Sequence, residues 1–191
     1  MFAFKKKYFL IIENTRDIDL RNIKKYNKFI VIYRNNNKKE NFDELLSFRK
    51  KCKLKLIDFY VANDIKLSLS LNSDGIYLSS YNKTFRTLRL YKRNFGIIGS
   101  AHNTKQISEK IKQGCKYVLF SKLFRVDYDS RSSFFGIIKY NKYANNFSKK
   151  LIPLGGIKIN NLNSLKIVNS QGFAISSEIK KKPANIINRL F

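Results

Sequence analysis

Leu151-Ile152-Pro153-Leu154-Gly155-Gly156-Ile157 reads as a short buried strand running straight into a double glycine. Two consecutive residues without a Cβ can take positive φ and bring bare peptide N–H groups close to a ligand, which is how a backbone holds phosphate without side-chain charge. A helix pattern follows, with Asn160 or Asn161 as its cap. A second strand-like run, Gly172-Phe173-Ala174-Ile175, ends in Ser176-Ser177, so a neighbouring strand tip offers further N–H groups and two hydroxyls. Taken alone, Gly155-Gly156 is equally an ordinary tight turn; the paired strand ends favour a binding site.

Upstream of this stretch, short apolar runs alternate with amphipathic segments. Tyr8 to Ile12 and the β-branched and aromatic run Phe29 to Tyr33 read as strands, as do Leu56–Val61, Gly75–Leu78, Phe95–Gly99 and Tyr117–Phe120. Between them, residues 17–25 predict a short helix with Ile18 and Leu20 inward, and Phe42, Leu45, Leu46 and Phe48 recur at helical spacing. Helices are also predicted from Ile65 to Leu71, through Leu88 and Leu90, and from a Thr104 cap to Gln113, where Gly114 stops it. Residues 121–136 form the longest loop, a weaker helix spans 137–147, and residues 184–190 close the chain. Eight strands alternating with helical stretches predict parallel βαβ units, hence an α/β protein with a (β/α)8 TIM barrel over residues 1–191 as a single domain. A flavodoxin-like open sheet is the competing architecture. In a barrel, the loops after strands seven and eight hold phosphate, where Gly155, Gly156, Ser176 and Ser177 fall.

Composition narrows the function classes. Of the 191 residues, 43% are hydrophobic and 27% charged, which is globular rather than disordered. No apolar run approaches the roughly 18–20 residues that span a bilayer, so no membrane partner is expected. Lys5-Lys6-Lys7 precede an apolar run that meets Glu13 too early for an export signal, and it reads as the first strand. Cys52 and Cys115 form no CxxC, which excludes a disulfide framework or zinc ribbon and points to a cytoplasmic protein. The formal charge of +26 suggests nucleic acid or another polyanion. Lys, Asn, Ile, Phe and Tyr are enriched together, however, and the basic residues are spread along the chain, so nucleic-acid binding is the minor reading.

The strand exits carry the chemistry: Arg34, Asn63-Asp64, Ser79-Ser80, Ser100 with His102, Ser121-Lys122, and the two tips above. Val61-Ala62-Asn63-Asp64, Asp74-Gly75-Ile76-Tyr77-Leu78, Gly99-Ser100-Ala101-His102, Gly114-Cys115-Lys116-Tyr117-Val118 and Gly155-Gly156-Ile157 resemble, in order and spacing, the thiamine phosphate synthase and thiazole tautomerase family. The resemblance implies a (β/α) barrel acting on small phosphorylated substrates, with Gly155, Gly156, Ser176 and Ser177 at a thiazole phosphate. It implies Arg34 at pyrophosphate, Asn63 and Ser100 at substrate, Asp64 as a Mg²⁺ ligand, and His102 as the catalytic histidine of tautomerases. Several positions depart from the pattern: Ile32 and Asn36 stand for a glutamine and a lysine, Asn82 for the second Mg²⁺ carboxylate, and Val126 and Asp129 for a threonine and lysine that grip pyrophosphate. Lys122, Arg125 or Arg131 are the candidates to restore positive charge there.

His102 is the chain's only histidine and the side chain whose ordinary pKa suits proton transfer at neutral pH; the alternative is a surface histidine at a helix start. Cys115 is expected to be a core residue rather than a nucleophile, and Asp74, at the entry to the fourth strand, to be structural. Three readings result: a Mg²⁺-dependent synthase joining a pyrimidine pyrophosphate to thiazole phosphate, a metal-free tautomerase using His102, and a degenerate barrel that binds phosphate or polyanions without turnover.

Overall fold

Along the first strand, Phe9 and Ile11 face one way, Tyr8, Leu10 and Ile12 face the other, and all five are buried. A strand covered on both faces belongs to a parallel sheet closed by side chains within and helices without. The computed structural model describes residues 7–23, 27–35, 41–93, 95–127, 129, 131–147, 150–181 and 187. Its strands are β1 (Lys7–Ile12), β2 (Phe29–Tyr33), β3 (Asp58–Ala62), β4 (Gly75–Leu78), β5 (Gly96–Ala101), β6 (Tyr117–Ser121), β7 (Leu151–Leu154) and β8 (Gly172–Ile175). They pair in parallel and in chain order, and β8 returns to β1 with Ala174 opposite Phe9, closing a (β/α)8 barrel. The open-sheet alternative is thereby excluded.

Two hydrophobic layers hold the barrel. Inside, Ile11, Ile32, Ile98, Leu119, Ile152 and Ala174 pack across the axis. At the amino ends of the strands, Phe9, Tyr60 and Tyr117 fill the bore, with the Phe9 and Tyr117 rings edge-to-face at 5.4 Å. Tyr60 fits only because β4 and β5 both start with glycine: a Cβ at Gly75 would overlap the Tyr60 ring and the Gly96 carbonyl, and one at Gly96 would overlap the Tyr60 hydroxyl. Outside, α1 (Phe42–Leu54), α2 (Ile65–Ser70), α3 (Thr104–Lys112), α4 (Gly136–Asn146) and α5 (Ser177–Lys181) cover the strands. Leu45, Phe48 and Cys52 of α1 and Tyr140 and Ala144 of α4 go into this layer, each large side chain contributing about 1.5–3 kcal/mol of burial.

The remaining connections are 3-10 turns, and here the sequence expectations shift. Residues 17–23, the described part of the predicted helix 17–25, do not make one helix. Asn14 and Asp19 each accept the N–H two residues on, from Arg16 and Arg21, and break the segment into turns at Thr15–Asp17 and Leu20–Asn22; Ile18 and Leu20 are inward as expected. The predicted helix through Leu88 and Leu90 is a 3-10 segment, Arg86–Arg93. Asn103, not Thr104, caps α3, accepting the Gln106 N–H at 2.9 Å. After β7 the cap position is Lys158, and Asn161 three residues on accepts its N–H at 2.8 Å. Strand three starts at Asp58 rather than Leu56, because Leu56 turns the chain out of α1 with φ 52°. The predicted closing helix at 184–190 lies, except for Ile187, outside the described residues, as does Asn36.

Asp74 sits at the amino end of β4, away from the strand exits. Its carboxylate accepts the Phe59 N–H at 2.7 Å and an Arg49 N–H at 2.9 Å. The Arg49 side chain is only 8% exposed and also donates to the Asn72 carbonyl. This ion pair ties α1 to the entry of two strands.

Candidate active site

A cleft of about 650 Å³ opens at the carboxyl ends of the strands. The two glycines after β7 form one lip. Gly155 and Gly156 have φ of +94° and +67°, and their carbonyls are occupied by the Phe124 N–H and the Asn161 side chain. The N–H groups of Gly156 and Ile157 find no acceptor among the described residues. A side chain at Gly156 is excluded, since a Cβ would lie 2.6 Å from the Phe124 carbonyl. Ser176 and Ser177, after β8, stand on the same lip.

Across the cleft, Arg34 leaves β2 with its N–H bonded to the Ile12 carbonyl at 2.8 Å. Its Nε is buried and has no hydrogen-bond partner among the described residues, an arrangement that costs about 1–3 kcal/mol until an acceptor arrives. Tyr77, inward-facing on β4, makes the floor; burial pushes its phenol pKa up, and Ser100 and the Arg34 guanidinium oppose that shift. His102 follows β5, its N–H bonded to Gln106 Oε1 and its Nδ1 3.0 Å from the Ser121 hydroxyl at the end of β6. It is exposed, yet it lines the cleft, so both sequence readings of it contain part of the geometry.

The cleft thus gathers Arg34, Ser100, His102, Gly155, Gly156, Ser176 and Ser177. Asn63 and Asp64 face a separate depression of about 430 Å³ with Asn82, Thr84 and Arg86. Asn63 Oδ1 accepts from the Ser79 N–H, the Ser79 hydroxyl and Asn82 Nδ2, at 2.9 to 3.1 Å. Asp64 caps α2 through the Leu67 N–H, and Asn82 Oδ1 accepts the Thr84 N–H. Mg²⁺ seeks near-octahedral oxygen donors that include one or two carboxylates. Here one carboxylate is half engaged and its neighbours are amides committed to each other, and among the described residues no group of three or more His, Cys, Asp or Glu side chains is placed to hold a metal. Among the described residues they offer a Mg²⁺ ion one uncommitted carboxylate oxygen, on Asp64.

Of the three cations proposed to replace the missing pyrophosphate contacts, only Lys122 lines the cleft, and its ammonium is bonded to Asp129 at 2.8 Å and Ser132 at 2.6 Å. Arg125 and Arg131 are exposed outside it. Val126 lines the wall as an apolar residue. Glu13, Tyr77 and Tyr81 belong to the cleft and were missed from sequence. Alternation along β4 points to Tyr77, and Glu13 is simply the exit of β1; nothing in the sequence marks Tyr81.

Cys115 is buried behind β5 on the outer face, where a Cβ at Gly99 would lie 2.8 Å from its sulfur. Burial pushes the thiols of Cys52 and Cys115 up to about 12. Folded-state values above the ordinary 9 mean that the stability these thiols contribute is intact below pH 9 and is lost as pH rises towards 12. The unfolding midpoint is therefore expected to fall over that window, and Cys115→Ala to flatten the decline, as followed by circular dichroism in a pH series.

A closed parallel barrel with its polar cleft at the strand exits, and a glycine lip after strand seven, defines a (β/α)8 barrel. Comparison with known proteins narrows this class. The chain belongs to the thiamine monophosphate synthase family, whose family model matches residues 19–179. It is 28% identical over 143 residues to a thiamine-phosphate synthase of Prochlorococcus marinus, covering 73% of this chain and 40% of that protein. A Pelagibacter ubique thiamine-phosphate synthase is 26% identical over 164 residues, covering 80% of this chain and 78% of the relative. The chain spans about two fifths of the length of the Prochlorococcus relatives it matches, at 40% and 38%. The fold is shared with a thiamine phosphate pyrophosphorylase from Pyrococcus furiosus, at TM-score 0.76, 17% identity and 98% and 95% coverage of the two chains. It is also shared with a phosphoribosyl anthranilate isomerase from Thermotoga maritima, at TM-score 0.68, 12% identity and 96% coverage of each chain. Among the described residues no helix is long and apolar enough to cross a membrane.

Proposed function

We propose that the chain couples a pyrimidine carrying a diphosphate to a thiazole carrying a phosphate, forming thiamine phosphate, as an enzyme of the cytoplasm. The single observation that carries this reading is the cleft's two anion-seeking ends. Gly156 and Ile157 on one side bring N–H groups, and Arg34 on the other a buried Nε, that find no partner among the described residues. The Gly156–Ile157 lip with Ser176 and Ser177 takes the thiazole phosphate, Arg34 takes the diphosphate, and Ser100 and Tyr77 support the ring between them. In the reaction the thiazole nitrogen lone pair bonds to the pyrimidine's exocyclic methylene carbon as its C–O bond breaks, the electron pair leaving on the diphosphate. Arg34, with its Nε already buried, stabilises that developing charge with little reorganisation. No step is assigned to Mg²⁺.

A second reading rests on the His102–Ser121 pair. A histidine oriented by a hydroxyl in the same cleft can move a ring proton, as a thiazole tautomerase requires. Incubation of the purified chain with both substrates, followed by mass spectrometry and phosphorus NMR, separates the two. Thiamine phosphate and diphosphate in equal amounts are expected. Isomerised thiazole phosphate without coupling would transfer the role to His102, and neither product would leave a barrel that binds phosphate or polyanions only.

A further inference from the structure

Tyr81 is the least expected member of the cleft. Its ring is 74% exposed, although it lines the site rather than the outer surface. Such rings are ordinarily anchored by packing; this one is anchored at its tip, where Asn63 Nδ2 donates to the hydroxyl at 3.3 Å. Asn63 cannot follow a moving tyrosine, because its carbonyl oxygen holds three donors from Ser79 and Asn82.

Behind Asn82 the support is deeper still. Its backbone carbonyl accepts from Lys110 Nζ at 2.6 Å and from Gln113 Nε2 at 3.0 Å. Both side chains are fully buried, Lys110 on α3 and Gln113 at its C-cap, and Gln113 also holds the Thr84 carbonyl at 2.7 Å and accepts from Lys110 at 2.9 Å. Burying an ammonium costs several kcal/mol unless its donors are used, so this investment fixes the loop 79–84 against the barrel. An exposed aromatic on a braced loop is a preorganised surface. Tyr81 shares the cleft with Tyr77 and Arg34.

We infer that Tyr81 is a stacking platform for the pyrimidine ring, with Asn63, Asn82, Lys110 and Gln113 as its positioning residues. The inference rests on the proposed coupling reaction for the identity of the ring. Stacking tolerates any planar heteroaromatic face and contributes affinity through overlap, so Tyr81 selects the ring, while the lip and Arg34 select the phosphates.

The test uses the full chain with two separate probes, 4-amino-2-methylpyrimidine and inorganic phosphate. Tyr81→Ala is expected to weaken aminopyrimidine binding by about ten- to a hundredfold, Tyr81→Phe by an intermediate factor because the ring remains but its Asn63 anchor is lost, and neither to change phosphate affinity. The sequence has no tryptophan, so Tyr81→Trp adds a sole tryptophan, whose emission, excited to the red of the tyrosine band, should be quenched by the aminopyrimidine and not by phosphate. Unchanged aminopyrimidine affinity in Tyr81→Ala, a parallel loss for phosphate, or an unquenched Trp variant would each overturn the platform. If the wild type couples substrates and Tyr81→Ala does so at unaltered KM, the platform fails and the proposed function stands. Absent coupling, together with Tyr81-dependent ring binding, would overturn the function and keep the platform.

Discussion

Arg34→Met is expected to lower kcat/KM for coupling by about a hundred- to a thousandfold, the size of effect seen when one preorganised donor to a developing anion is removed. The same substitution should leave the thermal midpoint unchanged or raise it. Among the described residues Arg34 Nε is buried without a partner, so methionine of similar length removes an unmet donor, which offsets the loss of the guanidinium's hydrogen bond to the Tyr77 hydroxyl. Opposite signs on activity and stability distinguish a binding arginine from a structural one. Turnover preserved within a few-fold would remove Arg34 from the site, and a midpoint lowered by several degrees would mean that its role is in the fold.

Asp74→Ala has the converse signature. It leaves Arg49 buried with its charge uncompensated and the Phe59 N–H without an acceptor, and breaking such a pair costs about 3 kcal/mol or more. For a chain of this size that lowers the midpoint by roughly 6–12 °C. The double variant Arg49→Met/Asp74→Ala is expected to recover part of the loss, because the stranded charge is gone. Calorimetry of the two variants checks both statements. A single variant as stable as the wild type would show that Arg49 reaches water, and its retained phosphate affinity would still place Asp74 outside the site.

The strands were legible because each is a short run of β-branched and aromatic residues that ends in a polar residue or glycine. Gly75–Leu78 and Gly172–Ile175 match to the residue. Connections were less legible where side chains compete with the helix for backbone groups, as Asn14 and Asp19 do ahead of their 3-10 turns. In the site, residues placed by strand exits alone were found, since a barrel sends every exit to the same end. Asn63 and Asp64 also leave a strand exit, yet Asn63 has φ +60°, and the turn directs the pair into a neighbouring depression. Sequence spacing carries no sign of such a turn. Nor does it reveal Lys110, which reads as an exposed helix lysine and is instead the buried brace of a loop 28 residues away.

The amino end of the barrel, stoppered by Phe9, Tyr60 and Tyr117, gives the cleft a single doorway. On the proposed reaction, both substrates enter and both products leave through the strand-exit end of the barrel, where Tyr81 and the glycine lip stand.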